Sequence, residues 1–577
     1  AAMLGRIAEW DPAFATAQLL WLLAAPIFIM LPNRRRTLVI PRRVSKDGLS
    51  MDWLLATLVG GTSLVVSAGI GAFLGDLPPA YHDEYSYLFQ SKTLLLGHFS
   101  VPSAAIHPEL FDQMHVLNEG RMASRYYPGT GLWLAPFVAM GHPYWGPRLA
   151  TALATMLTYW TGRELGGRLS GCLAGLAMAL SPGVGLFGNT LLSHPPTLVG
   201  LGLFFLGMIR LRRTRSGWDG CLAGCGLSYA MICRPMTAAG VGLPFGIDLL
   251  WWLFREHQSP ASHSIPKDQI PRTIRIRRLS ILMGLGLPLI CGWLIMLAYN
   301  HGITGAWLRS PYQLYTDTYT PRHVYGFNNV VRGEQQLGPK VIEHYDRWAE
   351  NLTTSLAVSN ATNRWFASWI WTLDVLPLLL TSVIVLGTAY RLDRRWLLLG
   401  GAILSLHLIH IPYWYVGIMG WHYVFESAPI WCLLLAAATQ RLLTSWHQSR
   451  LYAMPRWWIG LVGLSIAGSY YAPARFWKPR IQNAIGSLAY PRHQQANFRR
   501  WVNESIPDRP ALVLVDQRES EASHLDFVHN DPGLSSEIIY GRLPSQEAEV
   551  MALTHDITSR TIFVVSPARR TITRLSQ

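Results

Sequence analysis

Apolar runs long enough to cross a membrane recur along most of this chain, and clusters of arginine separate them. A hydrocarbon core of about 30 Å needs roughly 20 consecutive apolar residues when the chain crosses it as a helix. Half of the 577 residues are hydrophobic and only 14% are charged, whereas soluble domains carry about 25% charged residues. The pattern therefore predicts an all-α polytopic membrane protein.

The arginine clusters also predict the orientation of the helices. They occupy short loops, as at 34–36 and 272–278, and such loops usually face the cytoplasm. The net charge of +15 is therefore an orientation signal, since a nucleic-acid reader would gather its charge on one soluble face. We expect about twelve transmembrane helices with both chain ends outside. The expected spans lie near 17–32, 53–74, 146–163, 168–187, 193–210, 218–233, 236–254, 279–299, 366–390, 396–418, 421–441 and 456–472.

Two long polar stretches interrupt the apolar runs, and this topology places both outside the cytoplasm. They are outer loops 75–145 and 300–365, the first of which contains a short apolar piece, 130–141, that cannot span a membrane. Beyond the last span the charge rises, and 512–515 and 562–565 are typical of short buried strands. We predict a membrane domain over 1–472 and a small extracytoplasmic α/β domain over 473–577, which is large enough to hold its own core.

The first outer loop carries two adjacent acids close to a predicted membrane edge. Asp83 and Glu84 follow His82 and open a segment with helical spacing of apolar residues. One carboxylate at this position could simply stabilise a helix N-terminus through the helix dipole. Two acids at the mouth of a membrane bundle are costly to keep, and this favours a functional pair.

An acid pair of this kind suits glycosyl transfer from a lipid phosphate. One carboxylate can accept the proton of an acceptor hydroxyl as that hydroxyl attacks the anomeric carbon of the sugar. Cations or hydrogen-bond donors must then stabilise the charge that grows on the departing phosphate. We assign Asp83 as the general base and Glu84 as its orienting or metal-binding neighbour.

Other polar residues stand where the apolar runs begin or break. Arg125 precedes Tyr126 and Tyr127 and could hold a phosphate or a sugar by bidentate hydrogen bonds and stacking. An interfacial aromatic belt with a snorkelling arginine would give the same pattern. Arg234 and Pro235 interrupt a long apolar stretch, and a charge at that depth should face a polar cavity.

Three more polar side chains enter predicted helices from the outer side. His194 opens the fifth helix, and His422 and Glu426 lie one turn apart at the start of the eleventh. A local His422–Glu426 hydrogen bond and a site facing the cavity both fit this spacing. We expect the donor phosphate to contact Arg125, His194 and Arg234. We expect the substrates to contact His82, Tyr126, Tyr127, His422 and Glu426.

Taken in order, these motifs resemble the GT-C superfamily of membrane glycosyltransferases. They are similar in particular to the bacterial family 39-like group, which is related to protein O-mannosyltransferases and lipid A aminoarabinose transferases. The resemblance runs over residues 50–440. The stretches that carry it are His82-Asp83-Glu84-Tyr85-Ser86-Tyr87-Leu88, Tyr126-Tyr127-Pro128-Gly129, Leu192-Ser193-His194, Cys233-Arg234-Pro235 and Tyr423-Val424-Phe425-Glu426-Ser427-Ala428-Pro429.

The resemblance implies an inverting transferase that uses a polyprenyl-phosphate sugar, with Asp83 as the base. The chain departs from the pattern at two places. Many relatives carry an acid where Ser193 and His194 stand, which leaves any divalent metal site open, with Glu84 and His194 as candidate ligands. Many also carry an arginine at the position of His422, so the contacts to the donor phosphate differ here.

We therefore expect an integral-membrane inverting glycosyltransferase of the inner (plasma) membrane. It would move a sugar from a polyprenyl phosphate to an extracytoplasmic glycan, lipid or protein, with no certain cofactor beyond a possible divalent ion. A transporter or flippase for a lipid-linked sugar is the alternative, although such proteins usually show paired halves that this sequence lacks. A scaffold would leave Asp83, Glu84 and Arg234 unexplained.

Overall fold

The computed structural model describes residues 18, 20–23, 48–255, 272–388, 393–446, 454–471, 479–517 and 525–575. This part of the chain is mostly helical, with one small sheet in the first outer loop and a second near the C-terminus. Most of the predicted span near 17–32 and the arginine cluster at 34–36 lie outside the described residues.

Helices form over most of the predicted apolar runs. They are α1 Gly48–Leu74, α2 His82–Leu95, α3 Pro128–Ala139, α4 Trp145–Ala179, α5 Pro182–Phe187, α6 His194–Thr214, α7 Gly217–Cys233, α8 Pro235–Arg255, α9 Arg272–Thr304, α10 Pro311–Tyr319, α11 Asn329–Glu334, α12 Glu343–Asp346, α13 Thr354–Thr372, α14 Val375–Gly387, α15 Arg394–Ile409, α16 Ala428–Trp446, α17 Met454–Tyr470, α18 Arg480–Ser505 and α19 Glu547–Asp556. The short apolar piece predicted at 130–141 is α3, a helix of 12 residues.

Proline and glycine set several of the helix boundaries. Pro235 has no N–H to continue α7, so α8 begins there and Arg234 is left between the two helices. Gly167, with φ 84°, lies in the left-handed region that favours glycine, and it divides α4. The chain folds back at that point and brings Gly162 against Ser170. A Cβ on Gly162 would lie only 3.0 Å from the backbone oxygen of Ser170.

The predicted span at 366–390 is broken in two. Helices α13 and α14 meet at an angle of 103°, with Asp374 at the break in a left-handed conformation of φ 91°. The Asp374 carboxylate accepts a hydrogen bond of 2.6 Å from the Val375 N–H and so caps the second helix. One polar residue within a long apolar stretch is enough to start a new helix here.

Fewer helices than expected are long and apolar enough to cross a membrane. In the part of the chain that the structure describes, three qualify, Leu49–Leu74, His194–Thr214 and Arg278–Thr304, and the bent α13–α14 pair would be a fourth if counted as one span. The predicted number of twelve is therefore not confirmed. One reason is length, since the apolar helices α7, α14, α15 and α17 have only 13 to 17 residues.

The first outer loop folds into helix α2, a small antiparallel sheet and helix α3. The sheet contains β1 Val101–Pro102, β2 Val116–Asn118 and β3 Arg121–Ser124 in the order β1-β3-β2. Ser86 of α2 donates a hydrogen bond of 2.6 Å to the carbonyl of His115, just before β2, and so fixes the sheet against the helix.

The residues near the C-terminus form the α/β fold expected from the sequence. Strands β4 Ala511–Val515, β5 Ile538–Arg542, β6 Thr561–Ser566 and β7 Thr571–Arg574 make one sheet in the order β5-β4-β6-β7. Strand β4 is parallel to β5 and β6, while β6 and β7 are antiparallel. The strands expected at 512–515 and 562–565 are confirmed, and helices α18 and α19 occupy the polar segments around them.

Side chains of β4 alternate between two separate cores. Leu512 and Leu514 pack with Phe89 of α2 and other residues of the first outer loop. Val513, on the opposite face, packs with Phe498 of α18. Because alternate strand residues point to opposite faces, the sheet binds its own helix on one side and the first outer loop on the other.

We predict that Leu514→Ala detaches the C-terminal sheet from the first outer loop. Leu514 is fully buried in the shared core, and removing such a side chain typically lowers the free energy of unfolding by about 2–5 kcal/mol. Thermal unfolding in detergent and limited proteolysis of the first outer loop would measure the effect. Thr573→Ala, at an exposed position of β7, should leave both measurements unchanged.

Candidate active site

Asp83 lies in the first turn of α2 with its carboxylate held on one side and open on the other. Its Oδ1 accepts a hydrogen bond of 2.7 Å from the Tyr126 hydroxyl and lies 3.0 Å from Nε2 of His115. The Asp83 side chain keeps 24% of its surface exposed. A substrate hydroxyl can therefore reach the carboxylate without displacing either partner.

The surroundings of Asp83 keep it ionised. Burial alone raises its pKa, but the hydrogen bond from His115, the electrostatic influence of the His115 and His422 rings and the Tyr126 hydrogen bond lower it more. The net result is an Asp83 pKa well below the usual range. The carboxylate is thus ready to accept a proton throughout the physiological pH range.

His115 is a site residue that the sequence analysis missed. It is buried in the first outer loop with a left-handed backbone, φ 62°. Its Nδ1 lies 3.1 Å from Nη1 of Arg125, and because a guanidinium can only donate, Nδ1 must accept. Burial lowers the His115 pKa, so the ring is neutral and its proton is on Nε2, from which it is donated to Asp83.

Arg125 is placed differently from the expectation of a direct phosphate contact. Only 3% of the residue is exposed, and it lies behind His115, with Nη2 donating 3.1 Å to the Thr316 hydroxyl. Its guanidinium carbon lies 3.9 Å from the ring centre of Tyr312 and 4.5 Å from that of Tyr315. These contacts indicate that Arg125 fixes the orientation of His115.

The Glu84 carboxylate accepts hydrogen bonds from the backbone of two different segments. It is fully buried, and its Oε2 accepts hydrogen bonds from the backbone N–H groups of Ala80, at 2.8 Å, and Tyr81, at 3.0 Å. Its Oε1 accepts from the Leu191 N–H at 2.8 Å and lies 3.7 Å from Nη2 of Arg492. Both oxygens are engaged by backbone donors, so these bonds favour a capping role over the predicted metal contact.

A second group of predicted residues meets at the break between α7 and α8. Arg234 lies there, with its Nη1 3.1 Å from the Ser193 hydroxyl and 3.3 Å from Nε2 of His194. Its Nε is 3.3 Å from Oε1 of Glu426. We call Arg234, His194, His422 and Glu426 the arginine–histidine cluster.

Within this cluster, His194 separates His422 from Glu426. Its Nδ1 lies 3.0 Å from Oε1 of Glu426, and its Nε2 lies 3.3 Å from Nδ1 of His422. Glu426 therefore bonds to His194 and Arg234 and does not form the local bond with His422 that the spacing had allowed. The other Glu426 oxygen, Oε2, is buried and has no hydrogen-bond partner among the described residues.

Aromatic contacts connect Asp83 to the arginine–histidine cluster. Tyr126, which donates to Asp83, stacks on Tyr87 with 4.6 Å between the ring centres. The Tyr87 hydroxyl in turn hydrogen-bonds to Ser193, the partner of Arg234. The two groups therefore belong to one site, with a carboxylate on one side and an arginine on the other.

Two predicted substrate contacts lie at the edge of this arrangement. His82 sits between His115 and His529, with ring centres 6.2 and 6.3 Å away, and burial lowers its pKa to about 4. Its Nε2 is buried with no hydrogen-bond partner in the described part of the chain. Tyr127 precedes α3 and hydrogen-bonds to Ser310, away from the Asp83 carboxylate.

The predicted possibility of a divalent ion receives no structural support. Within the residues that the structure describes, no group of three or more His, Cys, Asp and Glu side chains is placed to hold a metal. His194, one of the two candidate ligands, has both ring nitrogens bonded inside the arginine–histidine cluster.

Comparison with protein families and with curated proteins found no match, but several solved structures show a distant likeness to this one. ArnT from Cupriavidus metallidurans bound to undecaprenyl phosphate is 12% identical at a TM-score of 0.47, over 90% of this chain and 93% of that one. An oligosaccharyltransferase from Archaeoglobus fulgidus in complex with Zn and sulfate is 14% identical at a TM-score of 0.45, over 78% of this chain and 56% of that one.

The arabinosyltransferase EmbB from Mycobacterium smegmatis is 12% identical at a TM-score of 0.36, over 74% of this chain and 33% of that one. Likenesses this distant describe the path of the backbone alone and carry no information about activity. The activity has to be inferred from the side chains of the site.

We predict that Glu84→Ala lowers stability more than Asp83→Asn does. The alanine leaves three backbone N–H groups without their acceptor, those of Ala80 and Leu191 buried and that of Tyr81 partly buried, at about 1–3 kcal/mol for each buried unsatisfied group. Asp83→Asn keeps an oxygen for Tyr126 and His115. Thermal unfolding of both variants would measure the difference, and equal unfolding temperatures would contradict the capping role of Glu84.

Proposed function

We propose that this protein is a membrane glycosyltransferase of the GT-C type. It would transfer a sugar from a polyprenyl phosphate to a hydroxyl group of an extracytoplasmic glycan, lipid or protein. The observation that carries the proposal is the pairing of a partly exposed, ionised Asp83 with the partly buried Arg234, which Tyr126, Tyr87 and Ser193 connect. A hydroxyl needs the first group to lose its proton, and a departing phosphate needs the second.

In the proposed reaction, Asp83 receives the proton of the acceptor hydroxyl. The hydroxyl oxygen forms a bond to the anomeric carbon while the bond from that carbon to the phosphate oxygen breaks, which inverts the configuration. The bonding electrons leave with the phosphate. Tyr126 and His115 hold the carboxylate in place during this step.

The low pKa of Asp83 makes it a weak base, further below the operating pH than is ideal for a general base. A weakly basic carboxylate takes the proton late, after the new carbon–oxygen bond has made the hydroxyl acidic. The same low pKa keeps the group ionised before each turnover. In this proposal Asp83 therefore contributes mainly by holding its carboxylate next to the acceptor hydroxyl, and less by its basicity.

Arg234 and its neighbours would hold the phosphate. The guanidinium can offer N–H donors to phosphate oxygens while it remains anchored by Ser193 and Glu426. Glu426 also accepts from His194 and so keeps that ring fixed beside Arg234. In this arrangement the arginine–histidine cluster provides the charge that a phosphate leaving group requires.

The proposed topology follows from the orientation signals in the sequence. We place the catalytic membrane domain at 1–472 and the α/β domain at 473–577. The protein would lie in the inner (plasma) membrane, with the site and the C-terminal domain on the extracytoplasmic side. Its partners would be the bilayer, the lipid-linked donor and the acceptor.

We predict that Asp83→Asn slows sugar transfer by about 10²–10⁴-fold, the usual contribution of a general base. Transfer from radiolabelled polyprenyl-phosphate sugars would be measured in proteoliposomes with a cell-envelope extract as acceptor. Asp76→Asn, an exposed position in the same segment, serves as the control and should keep full activity. A fully active Asp83→Asn enzyme would rule out the base, and movement of unreacted donor lipid across the bilayer would favour a flippase.

We predict that Tyr126→Phe moves the acid limb of the pH profile upward. Loss of the hydroxyl removes a hydrogen bond that lowers the Asp83 pKa, so this pKa rises and the ionised base disappears at a higher pH. Because the Asp83 pKa lies below the usual range, the profile of kcat/KM is followed down to the lowest pH at which both enzymes stay folded, where its acid limb reports this group in the free enzyme. An unchanged acid limb in the variant would show that Asp83 is not the base that titrates.

A further inference from the structure

A cavity lies between residues of the first outer loop and residues 499 and 529–531 near the C-terminus. Its volume is about 160 Å³, below the roughly 300–1,000 Å³ of pockets that enclose whole drug-sized ligands. The cavity thus has room for one small group of a larger ligand. Its polar lining consists of Tyr85, Lys92, Gln113, Arg499, His529, Asn530 and Asp531.

Several buried polar groups of this lining lack a partner in the described part of the chain. They are Nε2 of Gln113, the hydroxyl of Tyr85 and both ring nitrogens of His529. Gln113 is 3% exposed and His529 is 6% exposed. Buried polar atoms are nearly always hydrogen-bonded, so four such atoms around one cavity indicate that a ligand completes them.

The charges of the lining favour a negative ligand. Lys92 forms an ion pair with Asp531, which cancels one positive charge. Arg499 forms no ion pair among the described residues, and its guanidinium carbon lies 5.7 Å from the ring centre of Tyr540. The cavity is left with one uncompensated cation and with amide and hydroxyl groups that can donate.

We propose that this cavity binds an anionic group, a phosphate or a carboxylate, carried by the acceptor or by a membrane-lipid headgroup. The Arg499 guanidinium would bind it through charge-assisted hydrogen bonds. The Gln113 amide, the Tyr85 hydroxyl and one His529 nitrogen would complete its coordination. Only the assignment to the acceptor depends on the proposed transferase function.

The geometry of α2 separates this anion from the donor phosphate. Tyr85, Leu88, Phe89 and Lys92 line the cavity, and their spacing places them on one face of the helix. Asp83 lies on nearly the opposite face, because each helical residue turns the chain by about 100°. A ligand that reaches both places has to pass around the start of α2, where the His82 and His529 rings stack at 6.3 Å.

The proposal is tested by the binding of inorganic phosphate. Because phosphate can also occupy the Arg234 site, all variants carry Arg234→Gln, and phosphate is compared with chloride at equal ionic strength. A ligand that binds the folded protein raises the unfolding temperature in a saturable way. We expect Arg499→Gln to weaken phosphate at least about tenfold, since it removes a charged hydrogen bond. Arg500→Gln, the exposed neighbour, should bind normally.

Further arms keep the test decisive and identify the source of the anion. Arg499→Lys keeps the positive charge but lacks the planar guanidinium group, so it should bind phosphate with intermediate affinity. This variant keeps the test valid if Arg499→Gln does not fold. Vesicles of phosphatidylglycerol, compared with phosphatidylcholine, test a lipid headgroup in the same variants. Stabilisation by either anion that depends on Arg499 supports the cavity, and stabilisation that is equal in all variants, or absent with both, overturns it. Asp83→Asn should retain the phosphate response, which separates this site from catalysis.

Discussion

The buried Glu84 carboxylate joins the parts of the protein on which the site depends. Its oxygens accept hydrogen bonds from the chain that enters α2 and from the segment that leads into α6. Arg492 of α18 lies next to it and also donates 2.6 Å to the backbone oxygen of Asn189. One charged group thus fixes the outer loop, the membrane bundle and the C-terminal helix together, and Asp83 is placed one residue before it.

Adjacent acids have different surroundings because α2 points them in different directions. Glu84 points into the structure, where backbone donors and Arg492 compensate its charge. Asp83 points toward the aromatic side chains of the outer loops and remains partly exposed. A buried carboxylate without such donors would be strongly unfavourable. The backbone donors that compensate Glu84 therefore also fix the start of α2, where the neighbouring Asp83 stays partly exposed.

The sequence predicts best those features that depend on local pattern. Gly217–Cys233 and Pro235–Arg255 form as expected because proline ends an apolar helix at a definite residue, and the C-terminal strands follow from short apolar runs. His194, Arg234 and Glu426 meet as their motifs suggested. His115 and Arg492 could not be predicted, since neither belongs to a motif and both reach the site through contacts between distant segments. The break at Asp374 was missed because one polar residue does not alter the average hydropathy of a long run.

The fixed tautomer of His115 determines where a proton can go after it reaches Asp83. The Nε2 of His115 already carries a hydrogen, and its Nδ1 is blocked by Arg125. The histidine can therefore orient the carboxylate, but it cannot carry the proton inward as a relay. In the proposed reaction the proton would therefore leave from the exposed side of Asp83, the side from which the acceptor would enter. Restoring the ionised base would thus be coupled to the departure of product and the return of water.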